Sequence, residues 1–430
     1  MAIPRVMRDV TVNDLEGAGR LALLTSTDPR RLEWVRRFRV STRAMYSLAG
    51  KSPKFFQEVA QILLNSPNLM ELCLPKAEYF LAAHPDLIER LISLKSLRVV
   101  EFGGPGNQAV RLLASSKSCL QSISILSPLR VPPLASISSV RVWEASDADS
   151  HQLLGNSQWM GVHEATWRSS YISLNSLSYT FPNLTTLCLF ANLYNFRTHP
   201  EVRYECGESP WKHLDHIIGF IDDFAANQNN LFPIRRLTIS ESTPIGLWEA
   251  RDAIPVLAVC SPVVLDLTFG PEACCDFLRE SIPFLNRLKC LRTVLSDTTS
   301  IETLLNWIPS IGEHIGLIPL VAYCLCIRRP YTVTVDDTLM DWDFPTTLAE
   351  SVPSTRFVAL DMEEGGSRPI WWRVTRTDGV VRTNRVGNDV NDTVTDMLFS
   401  CDGKTDVIAQ VEAFLHLWPG SGQLEEQTCQ

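Results

Sequence analysis

The apolar positions of this chain recur in one short motif. It is clearest at Leu184-x-x-Leu187-x-Leu189, where Leu187 and Leu189 fall on one face of a predicted strand and Thr186, Cys188 and Phe190 on the other. A strand this short cannot bury its apolar face alone, so the motif requires stacked copies. Copies begin at Val35, Leu69, Leu97, Leu120, Ile137, Val162, Ile234 and Phe357, with weaker matches around Leu265 and at Leu291. From Leu69 to Leu184 successive starts lie 28, 23, 17, 25 and 22 residues apart. Helical patterns fill the intervals. Ser52-Pro53 opens one whose stripe, Phe55/Phe56, Val59 and Ile62/Leu63, has a 3.6-residue period. Others run through Leu87, Ile88 and Leu91, and from a cap at Asn107 through Val110 to Leu113.

Two stretches depart from the motif. Residues 195–230 predict an insertion, a polar loop and then a helix opened by Ser209-Pro210 with Trp211, Leu214, Ile217/Ile218, Ile221 and Phe224 as its buried stripe. Two more helices are expected, over Pro271–Ser281 and after the capping box Thr299-x-x-Glu302. Near the end, Ile370–Thr377, Asp378-Gly379 and Val380–Val386 predict a β-hairpin, because Asp-Gly supplies the positive φ angles of a tight turn. Two helical patterns follow, Asp392–Phe399 and Asp406–Trp418. The chain therefore divides into an N-terminal segment (1–30), a repeat array (31–362) and a C-terminal cap (363–430) that closes the last core face. The fold class this predicts is α/β, an irregular solenoid with strands on its concave side and helices outside.

Composition narrows the function more than the fold. The chain is 45% hydrophobic and 20% charged, with a net charge of −9. That balance argues against a nucleic-acid partner, which calls for a basic face. Eleven of the basic side chains lie in residues 1–54, against five acids; a solvated edge is the expected reading of this, ahead of a partner-binding patch. No apolar run is long enough to span a membrane, and Met1-Ala-Ile-Pro-Arg5 opens no signal peptide. The twelve cysteines lack zinc-site spacing, and Cys73, Cys188, Cys324 and Cys326 sit inside apolar strand patterns, so reduced thiols in a cytoplasmic or nuclear protein are expected.

Chemistry is sparse. His213-Leu-Asp-His216 places two histidines on one face of the predicted insertion helix, too few for a metal site. Gly103-Gly-Pro-Gly106 follows a strand and precedes a helix, as phosphate loops do, but has neither the Lys-Ser/Thr pair nor the dinucleotide spacing. Asp361-Met-Glu-Glu364 reads as a polar strand end, and of Trp371-Trp372 at most one can line a pocket. No catalytic set, metal site or cofactor site emerges. Binding potential lies in strand positions facing away from the core, where Arg141, Trp143, Arg168, Phe190 and Arg236 place two aromatics among three arginines.

The motif copies at Val35, Leu69, Leu97, Leu184, Ile234 and Phe357, with their loose spacing, resemble the leucine-rich-repeat F-box proteins abundant in fungi. Asn192 stands where such repeats keep a buried asparagine, although Ala77 replaces it in the Leu69 copy. Val6–Val12, Asp28-Pro29-Arg30 and Val35–Val40 are similar to the segment that follows an F-box. A Leu-Pro-x-Glu-like opening of the F-box itself has no counterpart, since Met1 falls after its expected place. The resemblance implies a non-enzymatic protein-interaction scaffold, the substrate-recognition region of an F-box-type subunit of a cullin ubiquitin ligase. It implies a protein partner on the concave face, and a Skp-type adaptor only where an F-box precedes the repeats. The competing expectation is an enzyme or small-ligand protein with its pocket in the 195–230 insertion or the C-terminal cap.

Overall fold

The computed structural model describes residues 7–48, 52–126, 140–146, 158–168, 174–190, 211, 213–226, 231–240, 247–269, 277–295, 310–327, 344–362, 369–387, 390–400 and 406–417. The chain forms two compact units, Met1–Leu214 and Asp215–Gln430. In each, strand order follows chain order.

The first unit is an eight-stranded parallel sheet: β1 (Asp9–Val12), β2 (Arg37–Val40), β3 (Glu71–Leu74), β4 (Val99–Gly103), β5 (Ser122–Leu126), β6 (Val142–Ser146), β7 (Glu164–Arg168) and β8 (Thr186–Leu189). Its register places Val10, Phe38, Leu72, Val100, Ile123, Trp143, Ala165 and Leu187 in one row, the middle position of the motif. From Phe38 onward every member of that row is buried. Residues 7–30 are not a separate linker. Met7-x-x-Val10-x-Val12 is itself a motif copy, and β1 pairs in parallel with β2. The helix Leu15–Thr27 follows, its first turn held by Asp14, whose carboxylate accepts from the Gly17 N–H at 2.6 Å.

The helix Pro53–Leu64 forms as its sequence requires. The Ser52 hydroxyl accepts from the Phe55 N–H at 3.4 Å, proline occupies the first turn, and Phe55, Phe56, Val59, Ile62 and Leu63 are buried. The helix Asn107–Ser115 is capped differently from expectation. Asn107 makes no cap; the Glu78 carboxylate takes the N–H groups of Gln108 and Ala109 at 2.9 and 3.2 Å. The glycines before it serve close packing. A Cβ on Gly103 would lie 2.2 Å from the Pro75 carbonyl oxygen, and one on Gly106 would strike Glu78. A carboxylate thus fills the place where a phosphate loop would hold its anion.

The β6 register corrects the sequence reading. The motif copy is Val140-x-x-Trp143-x-Ala145, not one beginning at Ile137. Leu120, Val140 and Val162 become successive starts, 20 and 22 residues apart instead of 17 and 25.

The second unit contains six parallel strands, β9 (His216–Gly219), β10 (Arg236–Ile239), β11 (Val264–Phe269), β12 (Cys290–Leu295), β13 (Ala322–Ile327) and β14 (Phe357–Met362). The antiparallel pair β15 (Ile370–Thr377) and β16 (Val380–Arg385) completes it. The hairpin turn is the one Asp378-Gly379 predicts, with φ of 54° and 79°. β9 replaces the expected insertion helix over 209–224. Leu214-x-x-Ile217 is a motif copy, β9 pairs with β10, and a short helix, Ile221–Ala226, follows. Leu214, Ile217, Ile221 and Phe224 are buried but Ile218, which a helical stripe would bury beside Ile217, is only half-buried. Two further registers shift. Leu291 and Val358, not Val294 and Leu360, hold the middle position, so Phe357 turns to the other face. Residues 191–210, with Asn192, and 296–309, with the Thr299 capping box, lie outside the described residues. Of the expected helix Pro271–Ser281, only residues 277–281 are described, and they are helical.

The C-terminal segment does more than close an end. The helices Asn391–Phe399 and Val407–Leu417 bring Val394, Leu398, Phe399, Val407 and Val411 into one buried cluster with Val264, Cys290, Ala322, Cys324, Phe357, Ala359 and Trp371. Those strand residues alternate with Leu265, Leu291, Tyr323 and Val358, so they occupy the opposite sheet face. In the second unit both faces of the sheet are therefore covered.

Candidate interaction face

Each strand of the first unit shows two outward positions, before and after the central motif residue. The first row reads Asp9, Arg37, Glu71, Val99, Ser122, Val142, Glu164, Thr186; the second reads Thr11, Arg39, Cys73, Glu101, Ser124, Glu144, Thr166, Cys188. We call this side of the sheet its front. It is polar at most positions because no helix of the described residues buries it, so charged side chains here keep their water.

The charges are arranged rather than scattered. The Arg37 Nε lies 3.7 Å from Asp9 Oδ1 and 2.8 Å from Glu71 Oε1, bridging β1 to β3. Arg39 reaches Glu101 at 3.7 Å and Arg168 reaches Glu144 at 3.3 Å. A concavity of about 280 Å³ opens over β1–β4, edged by Asp9, Arg37, Arg39, Glu71 and Glu101. Cys73 sits within it. Burial, then the charge of Glu101, pushes its thiol up to about 12, so it is protonated and poorly nucleophilic.

The five residues singled out from the sequence do not form one site. Arg168 and Phe190 come together, the guanidinium lying 5.2 Å from the ring centroid. Arg141 is exposed just before β6. Trp143 is a correction: it is 2% exposed, packed in the core with ring centroids 4.8 Å from Trp159 and 6.1 Å from Phe181. Arg236 belongs to the second unit. Its guanidinium pairs with Asp266 at 2.6 Å and lies 5.2 Å from the Phe399 ring, so it is engaged by the C-terminal helices. Asp9 lies in the N-terminal segment (1–30), outside the repeat array that the sequence predicts, so it is not among the five. Its signal was present in Met7-x-x-Val10-x-Val12, which has the motif spacing.

On the front of the second unit the polar groups are tied to one another. Asp266 Oδ2 accepts from Arg236 and, at 2.9 Å, from the Thr238 hydroxyl, whose oxygen lies 2.9 Å from His216 Nε2. Arg292 pairs with Asp361 at 2.9 Å, and Asp361, the first residue of the acidic strand end, is buried. The backbone of the helix Asn391–Phe399 is held as well: Arg235 donates to the Phe399 carbonyl at 2.7 Å and the Cys290 thiol to the Leu398 carbonyl at 3.1 Å. Trp371 donates to the Thr395 hydroxyl at 2.8 Å and Arg373 pairs with Glu412. His213 is exposed and His216 lies on a strand, so the expected shared helix face does not exist.

Among the described residues no group of three or more His, Cys, Asp or Glu side chains is placed to hold a metal, and no helix is long and apolar enough to cross a membrane. No family profile and no curated protein sequence matches the chain.

Proposed function

We propose that this protein is an interaction scaffold that takes a protein partner on the front face of its first unit. One observation carries the reading. The chain's own helices cover an apolar cluster on the front of the second unit, whereas among the described residues no helix covers the front of the first unit, which is lined mostly by charged and hydroxyl side chains. A face kept polar at twelve of sixteen outward positions across eight strands suits a wet, charge-complementary contact. Arg168 stacked on Phe190 adds one aromatic–arginine pair of the type enriched where binding energy concentrates. Following the resemblance of its repeats, we further propose that the chain selects the substrate for an F-box-type ubiquitin-ligase subunit.

The test is positional. A photo-crosslinking amino acid placed at Glu164 or Thr186, on the front, should capture a discrete protein from cells. The same residue at Glu89, on the exposed side of a helix, should not. Equal capture from both sides would remove the front face from the argument.

A further inference from the structure

The first outward row opens with three charges in register, Asp9, Arg37 and Glu71, on three neighbouring strands. Arg37 lies between the two acids, at 3.7 and 2.8 Å. All three are accessible, with side chains 54%, 55% and 39% exposed. Pairs this exposed add little to folding stability, so stability does not account for the arrangement. The row borders the concavity over β1–β4, which has room for side chains from outside. Its sign pattern is minus, plus, minus.

We infer that this row docks an α-helix of a protein partner bearing an acidic side chain flanked by two basic ones, at positions i, i+4 and i+7. The inference rests on the scaffold reading above. Its geometry follows from two spacings. Neighbouring strands lie about 4.8 Å apart, so β1 to β3 is about 9.6 Å. Residues i and i+7 of a helix lie on one face and about 10.5 Å apart along its axis. A helix laid across the strands thus sets one side chain over each, basic over Asp9, acidic over Arg37 and basic over Glu71. The opposite pattern would oppose like charges at all three positions, which is how such a row would reject wrong partners.

The experiment uses the full chain and two alanine-based helical peptides of about 18 residues. One carries Lys-x-x-x-Glu-x-x-Lys and the other Glu-x-x-x-Lys-x-x-Glu. Fluorescence anisotropy should show saturable binding of the first, with the second weaker by about tenfold or more. The triple variant Asp9→Arg/Arg37→Glu/Glu71→Arg should reverse that preference, while Glu89→Arg, with the same net charge change, should leave it unaltered. Should the triple variant fail to fold by circular dichroism, the neutral, size-conserving variant Asp9→Asn/Arg37→Gln/Glu71→Gln should still erase the discrimination. Equal binding of both peptides, no saturable binding, or no reversal would overturn the inference. So would a dimer in sedimentation that Arg37→Glu dissolves, because a second copy would then fill the face. If crosslinking from Glu164 and Thr186 persists in any of those cases, the scaffold reading stands and only the charge code falls.

Discussion

At the scale of single residues, His216 ties the second unit to pH. Thr238 donates its only hydroxyl proton to Asp266, so the His216 ring donates to Thr238 through Nε2–H. Burial first, then the charge of Arg236, pulls its pKa from 6.5 down to about 4. In the unfolded chain the ring takes up its proton as pH falls through 6.5, while the folded ring resists until about 4. Stability contributed by the neutral ring is thus full above pH 6.5 and is lost as pH falls towards 4. The urea midpoint should drop over that window in the native chain and drop less in His216→Gln; parallel curves would show that other groups govern the acid response. Cys73 gives a second residue-scale test. With its pKa near 12, iodoacetamide at pH 8 should alkylate exposed Cys119 well before Cys73, and mass spectrometry of brief reactions reads the order. Trp143 shows what single residues left hidden. Val140, Val142 and Ala145 offer two alternations of opposite parity, and only pairing with Ile123 and Ala165 decides that the tryptophan faces inward.

At the scale of elements, the helices that open at Pro53, Pro85, Asn107, Asn391 and Val407 and the hairpin were legible because their signals are local. Ser52-Pro53 and Asp378-Gly379 fix an end or a turn by their own chemistry. Strand register was legible only where one face meets water. In β2, Arg37 and Arg39 alternate with buried Phe38 and Val40, and the motif stands out. All six residues of β13 are buried, so alternation vanishes and nothing local assigns the faces. The same blindness hid the role of the last two helices, because the residues they cover are merely small and apolar in sequence. That role is testable. Leu398 is fully buried against the sheet, so Leu398→Ala should destabilise the second unit by about 2–5 kcal/mol. Gln410→Ala, at an exposed position of the last helix, serves as the comparison. Thermal melts that are unchanged for Leu398→Ala would mean the helices only rest on the sheet. Arg376 makes a different join. It donates to the carbonyls of Ala349, Val352 and Thr355 at 2.6, 3.0 and 2.5 Å, tying β15 to the C-terminal end of the helix Phe344–Ser351.

At the scale of the whole molecule, the two units put one motif to different use. Both alternate inward apolar and outward residues along parallel strands, so the chemistry of the outward rows distinguishes them. In the second unit those rows set Val264, Cys290, Ala322, Cys324 and Ala359, which the chain's own helices cover, among Arg236, Asp266, Arg292 and Asp361, which pair with one another. In the first they hold Asp9, Arg37, Arg39, Glu71, Glu101 and Glu144, which would be costly to desolvate under an apolar cover. A charged row of this kind calls for a partner that brings its own charges, and that partner should follow the first unit alone. Divided between Leu214 and Asp215, the chain gives two fragments, each containing one set of outward rows. Once circular dichroism shows that both are folded, residues 1–214 should bind the crosslinked partner with a Kd within about threefold of the intact chain, a difference under 1 kcal/mol. Residues 215–430 should show no binding at the same concentrations. Binding by the second fragment, or by the intact chain only, would place the contact outside the open rows and return the charged face of β1–β4 to a solvated surface.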